Sequence, residues 1–314
     1  MNRRDGLLCH VLVVCALLGA FIVKAADSRN GNWTIQHADK ADEVDLALIE
    51  HHHGGNSNHE TNIHSSELKG LDLLKSGKQD VRFTIARDAG RFECEGYVND
   101  GEGAGVYHFF AEPKYAQEMK SIGFDDIDSD KQFSMALMDV SVAFAKEMKA
   151  ERLTGLDTDK LVAFRIFNVN AEFVEALRKE GMDIRSSDNL VAFRIHGVSP
   201  EMVRALHQSG YQQSEGELVA MRIHGATPEW IEALKKDGYD KVALDELIAF
   251  RIHGVSPEFI EKMQSLGYKH PEPEQLVAMR IHGVTPEFVS NLRARGMKDL
   301  SIDQLVNLRI HGID

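Results

Sequence analysis

The chain is 314 residues long, enough for about two domains, with 43% hydrophobic and 27% charged residues, an ordinary globular composition. Its formal net charge of −13 supplies no electrostatic footprint for nucleic acid or for an anionic membrane surface, so both are excluded as expected partners.

Arg3 and Arg4 precede an apolar run from Leu7 to Val23, and Val23-Lys24-Ala25 offers small residues at cleavage spacing. This reads as a secretory signal peptide, residues 1–25, cut after Ala25, which places the mature protein in the periplasm or the medium. The run is long for a signal core, so membrane association is expected only through an uncleaved form of this segment. Cys9 and Cys15 leave with the signal, and Cys94 is then the single mature cysteine, so no intramolecular disulfide forms.

Residues 26–111 read as a small antiparallel β domain. Val44, Leu46 and Leu48 alternate with Asp45 and Ala47, and Val81, Phe83 and Ile85 repeat the pattern. Phe92, Cys94 and Val98 follow the turn Asp88-Ala89-Gly90, and Asn99-Asp100-Gly101 reverses the chain into Val106 to Phe110. Between the two halves lies a polar stretch, His51 to His64, read as a solvated loop, and then a short helix-like segment from Ser65 to Leu74.

His51, His52, His53, His59 and His64 are candidate ligands for zinc or copper, since imidazole suits both. No fixed Cys/His spacing accompanies them. His59-Glu60 followed by His64 is one residue too long for the HExxH motif, in which two histidines share one helical face.

From residue 112 to 314 the texture changes to a repeat. Arg-Ile recurs at Arg165, Arg194, Arg222, Arg251, Arg280 and Arg309, at separations of 29, 28, 29, 29 and 29 residues, the signature of a stacked architecture. Proline stands at Pro200, Pro228, Pro257 and Pro286, and the register runs back through Ala171 and Val142 to Pro113. Glycine closes most units, with Arg152 as the exception. The first two units depart from the consensus, as a stack's capping units do.

Each unit reads as two short helices. In Ser256-Pro257-Glu258-Phe259-Ile260 the serine caps free amides, proline fits the first helical position, and the glutamate meets the positive dipole end. Phe259, Ile260, Met263 and Leu266 share a face, and Gly267 suits a left-handed stop. The other half, Asp245 to Gly254, fits a wide helical face, yet Ile248, Phe250 and Ile252 also alternate as in a strand. Its acidic start, Ala/Leu/Arg-rich interior and His-Gly stop favour helix. The expected fold class is therefore α+β, a small antiparallel β domain followed by an αα-solenoid of short helix pairs.

The array presents one histidine per unit at His196, His224, His253, His282 and His311, each expected to end a helix, where its ring can bond free carbonyls. The arginines sit between apolar neighbours and need acceptors. Glu201, Glu229, Glu258 and Glu287, seven residues beyond Arg194, Arg222, Arg251 and Arg280, are the first candidates, and helix-end carbonyls are the alternative.

The unit L-V-A-x-R-I-H-G-V-[ST]-P-E-[FW], closing on Gly-Tyr, resembles repeats in the extracytoplasmic regions of bacterial membrane metallopeptidases of the beta-lactam-sensor, antirepressor type. The resemblance covers Pro113 to Gly312. The peptidase's membrane spans and zinc motif have no counterpart here, so no catalytic residue carries over. What the resemblance implies is a non-catalytic sensor or adaptor part. No GxSxG elbow, P-loop or dinucleotide turn is present, and no cofactor is expected. The expected function is a non-enzymatic extracytoplasmic protein-interaction or sensing module that binds another extracytoplasmic protein. The alternative is a metal-dependent hydrolase or metal-binding protein using the His51 to His64 stretch.

Overall fold

The computed structural model describes residues 29–40, 42–52 and 55–313. The segment expected to be a signal peptide, residues 1–25, and His53 lie outside the described residues. Six strands come first: β1 (Arg29–His37), β2 (Glu43–His52), β3 (Gly55–His64), β4 (Lys78–Arg87), β5 (Gly90–Asn99) and β6 (Glu102–Ala111), in one antiparallel sheet of order β3-β2-β1-β6-β5-β4. The described chain divides into two compact units, one up to residue 85 with residues 91–113, the other of residues 86–90 with residues from 114 on.

In the β unit the inward register follows the alternation of the sequence. Trp33 and Ile35 of β1, Val44, Leu46 and Leu48 of β2, Val81, Phe83 and Ile85 of β4, Phe92, Cys94 and Val98 of β5, and Tyr107 and Phe109 of β6 are all buried. Trp33 is the central anchor. Its indole N–H donates to Glu95 O at 3.1 Å and its ring stands edge-on to Phe83 at 5.0 Å. A Cβ on Gly105 would lie 2.7 Å from Trp33 Nε1 and 2.0 Å from Glu95 O, so only glycine leaves room for the indole there.

Two expectations for this unit fail. The stretch His51 to His64 is not a loop: His51 and His52 end β2, and residues 55–64 form β3, paired with β2 from Glu43↔His64 to His52↔Gly55. β3 carries a single buried apolar residue, Ile63, so it shows no alternation; its strand state comes from completing the ladder of β2 at a sheet edge, where polar residues are tolerated. The segment after it is a three-residue 3₁₀ turn, Ser65–Glu67, rather than a helix to Leu74.

Fourteen helices follow among the described residues: α1 (Tyr115–Ser121), α2 (Ser129–Leu137), α3 (Val142–Ala150), α4 (Thr158–Ile166), α5 (Ala171–Lys179), α6 (Ser187–His196), α7 (Pro200–Gln208), α8 (Glu215–His224), α9 (Pro228–Lys236), α10 (Leu244–His253), α11 (Pro257–Ser265), α12 (Pro273–Ile281), α13 (Pro286–Ala294) and α14 (Ile302–Ile310). Neighbours in space are next-but-one in sequence: α2, α4, α6, α8, α10, α12 and α14 form one layer, while α1 packs on α3, α5 on α7, α7 on α9 and α11 on α13 in the other. This is the helix-pair solenoid expected from the period.

The caps explain why the helices are short. Ser141, Asn170, Ser199, Thr227, Ser256 and Thr285 each accept from the amide three residues on, starting α3, α5, α7, α9, α11 and α13. Prolines occupy the first position in the last four of these. At the other end the left-handed stop is obligatory: in early units, where glycine is missing, Asp139, Arg152 and Asn168 adopt φ of 52°, 56° and 54° in its place. The segment Asp245 to Gly254, ambiguous by pattern, is the helix α10. Leu244, Leu247 and Phe250 are its buried residues, while Ile248 and Ile252 point elsewhere, so the helix is apolar on more than one side and imitates a strand's alternation.

Candidate interaction surface of the repeat array

The arginine of each Arg-Ile pair binds the C-terminal end of the equivalent helix one unit earlier. Arg222, Arg251, Arg280 and Arg309 donate through Nε to the backbone oxygens of His196, His224, His253 and His282 at 2.9, 3.2, 3.3 and 3.4 Å. Arg165 does the same to Met138 O at 3.0 Å and Arg194 to Asn168 O at 2.9 Å. A cation on the carbonyl end of a helix satisfies an orphan acceptor and meets the negative dipole end. Five of these six guanidiniums also lie over an aromatic ring of the helix just before their own: Arg194 over Phe173 at 3.9 Å, Arg309 over Phe288 at 4.9 Å, Arg280 over Phe259 at 5.1 Å, Arg251 over Trp230 at 5.2 Å and Arg165 over Phe144 at 5.3 Å. Arg222 has Met202 at that position and no ring. Burial pulls the Arg194 guanidinium below its ordinary value.

This corrects the first-choice acceptors. Among the described residues no ion pair joins Arg194, Arg222, Arg251 or Arg280 to Glu201, Glu229, Glu258 or Glu287, although the Arg222 charge is a lesser cause of the lowered Glu229 carboxyl. Glu258 instead pairs with Lys262 at 2.7 Å. Glu201 is held below the usual carboxylate range first by the Ser199 hydroxyl, and Glu229 and Glu287 first by their own backbone amides and then by Thr227 and Thr285. These glutamates lie in the first turn of their helices, where the free amides outcompete an arginine committed to a carbonyl.

The histidines end their helices as expected, His196, His224 and His253 as last residues of α6, α8 and α10 and His282 and His311 as the caps of α12 and α14, but the ring's part differs. Their backbone oxygens, not their rings, carry the contact. Of the rings, only that of His311 reaches a carbonyl, Asn307 O at 2.8 Å. His224, His253, His282 and His311 are exposed.

A second ladder, not found in the sequence, runs through the other layer. In five units the residue seven beyond the proline position bonds the carbonyl that ends the preceding unit's second helix: Lys149 to Ile122 O, Arg178 to Glu151 O at 2.9 Å, Lys235 to Ser209 O at 3.1 Å, Gln264 to Asp237 O at 3.4 Å and Arg293 to Leu266 O; His207, at the same position after Pro200, turns its ring to Gln213 instead and leaves that rung open. The signal was available as a polar, mostly basic residue at fixed offset, but its identity varies where the Arg-Ile pair does not.

With both helix ends tied inward, the isoleucine beside each arginine is turned out. Ile166, Ile195, Ile223, Ile252, Ile281 and Ile310 are between 52% and 55% exposed, one on each successive helix of the layer from α4 to α14. Between α10 and α12 this row borders an apolar groove of about 270 Å³ lined by Ala249, Pro273, Val277, Ala278, Ile281 and His282, with Glu246 and Glu274 at its rim. Scattered exposed apolar residues need no explanation; a row repeated at one position does.

In the β unit, His59 faces inward beside Leu48, with Nε2 3.6 Å from Glu50 Oε2, and Glu50 is buried against Arg29, whose Nε donates to it at 2.7 Å. His64 lies 3.4 Å from Asp42 at the far end of β3. Five residues of extended chain separate the two imidazoles by about 17 Å, far beyond a shared ion. Among the described residues no three His, Cys, Asp or Glu side chains are grouped to hold a metal. Burial pushes the Cys94 thiol up to about 12, which keeps it protonated and unreactive. No described helix is long and apolar enough to cross a membrane. Comparison of the chain with known protein families gives no match, and no curated protein is similar to it in sequence.

Proposed function

We propose that the chain is a non-enzymatic extracytoplasmic interaction or sensing module, and that its array binds an apolar segment of another extracytoplasmic protein along the isoleucine row. The observation that carries this reading is the row itself: six half-exposed isoleucines at one position of six successive helices. An isoleucine exposed once is incidental, but the same exposure kept through units whose linkers differ is the regular apolar frame that an extended partner needs. The resemblance to sensor-type extracytoplasmic repeats and the apolar run from Leu7 to Val23 support the setting. The expected mature protein begins near Ala26 in the envelope fraction.

The test is capture from an envelope extract by the intact mature protein and by a variant carrying Ile223→Asp, Ile252→Asp and Ile281→Asp. These side chains are half-exposed, so each change alters stability by only about 0.5 kcal/mol. Loss of a specific captured protein with an unchanged melting temperature supports the row as the interface. Retention of that protein by the folded triple variant overturns it.

A further inference from the structure

A polar contact crosses from helix to helix near the helix starts of the layer α2 to α14, and its chemistry changes along the stack. Lys131 of α2 pairs with Asp159 of α4 at 3.4 Å, Lys160 of α4 pairs with Asp188 of α6, and Asn189 of α6 donates to Glu215 of α8. At the next two steps the donor position holds a carboxylate. Glu217 of α8 stands 28 residues before Asp245 of α10, and Glu246 of α10 stands 28 before Glu274 of α12, the separation of both lysine pairs. Among the described residues no cation pairs with any of these four carboxylates, so like charges twice take the places of an ion pair.

Helix capping does not account for the charge. Glu217 and Glu246 accept through Oε2 from the amides of Ser214 and Ala243, at 2.7 and 3.2 Å. In the following units Gln275 and Gln304 make the same contact without a charge, to the amides of Glu272 and Ser301 at 3.1 and 2.9 Å.

Between α10 and α12 the two glutamates border the apolar groove of about 270 Å³, which Ala249, Val277 and Ala278 help to line. Both belong to the first turns of their helices, while Ile281 and His282 lie at the far end of α12, so the acids stand at one end of the groove. Small-molecule sites run from about 300 to 1,000 Å³, so this one suits a single side chain of a longer partner. We propose that the groove docks a lysine side chain carried by an otherwise apolar segment of another protein. The four-carbon stem lies along Ala249, Val277 and Ala278, and the ammonium enters between Glu246 and Glu274, in the role that Lys160 fills toward Asp188. Glu246 gives only Oε2 to its cap and offers Oε1. Apolar neighbours of the lysine rest on Ile252 and Ile281, each just over half exposed. A second copy of this chain presents the same acids on the same face, with a net charge of −13, so the partner is a different protein. The inference rests on the isoleucine row as the docking face and adds what docks there.

The experiment is fluorescence anisotropy of a dye-labelled, acetylated and amidated peptide of leucine, serine and one lysine, titrated with the mature protein, beside the same peptide with glutamine or glutamate in place of the lysine. The parent protein binds the lysine peptide more tightly than the glutamine peptide, and the glutamate peptide least. Glu246→Gln with Glu274→Gln, which keeps the cap as Gln275 does, melts at the parent's temperature and binds the lysine peptide about fivefold more weakly, with the glutamine peptide unchanged. If that variant melts lower, Glu274→Gln alone, at an exposed position, carries the test with a weakening of about twofold. Glu172→Gln with Glu261→Gln removes the same charge from exposed positions of α5 and α11 and leaves every affinity at the parent's. An equal weakening in that control means unspecific attraction and overturns the inference. Equal affinity of the parent for the lysine and glutamine peptides, both lost in Ile252→Asp with Ile281→Asp, overturns the lysine and leaves the isoleucine row standing. Binding of none of the three peptides overturns the inference, and the envelope capture then judges the row alone. Sedimentation of the parent as a dimer that Ile252→Asp with Ile281→Asp splits assigns the groove to a second copy and overturns it as well.

Discussion

Arg194 is the strongest rung of the arginine ladder, and comparison with Arg222 together with a cycle through Phe173 separates its contacts. Both arginines bond a helix-end carbonyl through Nε at 2.9 Å, Asn168 O and His196 O, but Arg194 adds a second bond from Nη2 to the same oxygen at 2.5 Å and lies over a ring, Phe173 at 3.9 Å, so the ring's share is read from the coupling to Phe173. A hydrogen bond from a charged donor contributes about 1.5 to 3 kcal/mol when buried. These guanidiniums are only partly covered, so a value at or just below the lower end, about 1 to 1.5 kcal/mol, applies to each. A partly exposed cation over an aromatic face adds about 0.5 to 1 kcal/mol. Arg194→Ala should therefore cost about 2 kcal/mol and Arg222→Ala about 1 kcal/mol. Phe173→Leu in both backgrounds should return a coupling of about 0.5 to 1 kcal/mol with Arg194. The assay is urea unfolding followed in parallel by far-ultraviolet circular dichroism and tryptophan fluorescence, since a repeat stack has to be shown to unfold as one transition before midpoints are compared. Equal costs for the two alanine variants, together with zero coupling to Phe173, would refute the stacking argument. Costs near zero for both would refute the ladder.

Other outcomes follow from the same contacts. Gly254 has φ of +74° and an added Cβ would stand 2.9 Å from Arg280 Nη2, so Gly254→Ala should lower stability by about 1 kcal/mol or more, read by the same unfolding assay. In the β unit, Arg29→Ala leaves the buried Glu50 carboxylate without its cation and should cost about 3 kcal/mol, with much of the loss recovered by adding Glu50→Gln; a thermal melt followed by fluorescence checks both. Glu201, Glu229 and Glu287 have folded-state pKa values below ordinary, so their contribution is present above the unfolded value of about 4.3 and is lost as pH falls through the lower folded values. Thermal midpoints should hold above about pH 5 and drop below about pH 4, and replacing the three glutamates by glutamine should flatten that drop.

The period, the caps and the stops were legible because each is a local requirement. Ser256 with Pro257 starts a helix and Gly267 ends one through the backbone alone, whatever surrounds them. The strands with strict alternation, such as Val44 to Leu48, were legible for the same reason. β3 was not, since Gly55 to His64 becomes a strand only because β2 offers it a ladder. The partners of the arginines were not legible either. A residue seven positions on is close in sequence, but Arg251 instead reaches the carbonyl of His224, 27 residues back, because stacking brings successive helix ends together. The sequence by itself therefore determined the unit, its length and its boundaries, which depend on capping and on backbone angles. The tertiary structure decided which side of each first helix faces out and which rung of the second ladder lies open. Those depend on what the neighbouring unit places against Ile252 and His207, and no feature within a single unit specifies that contact.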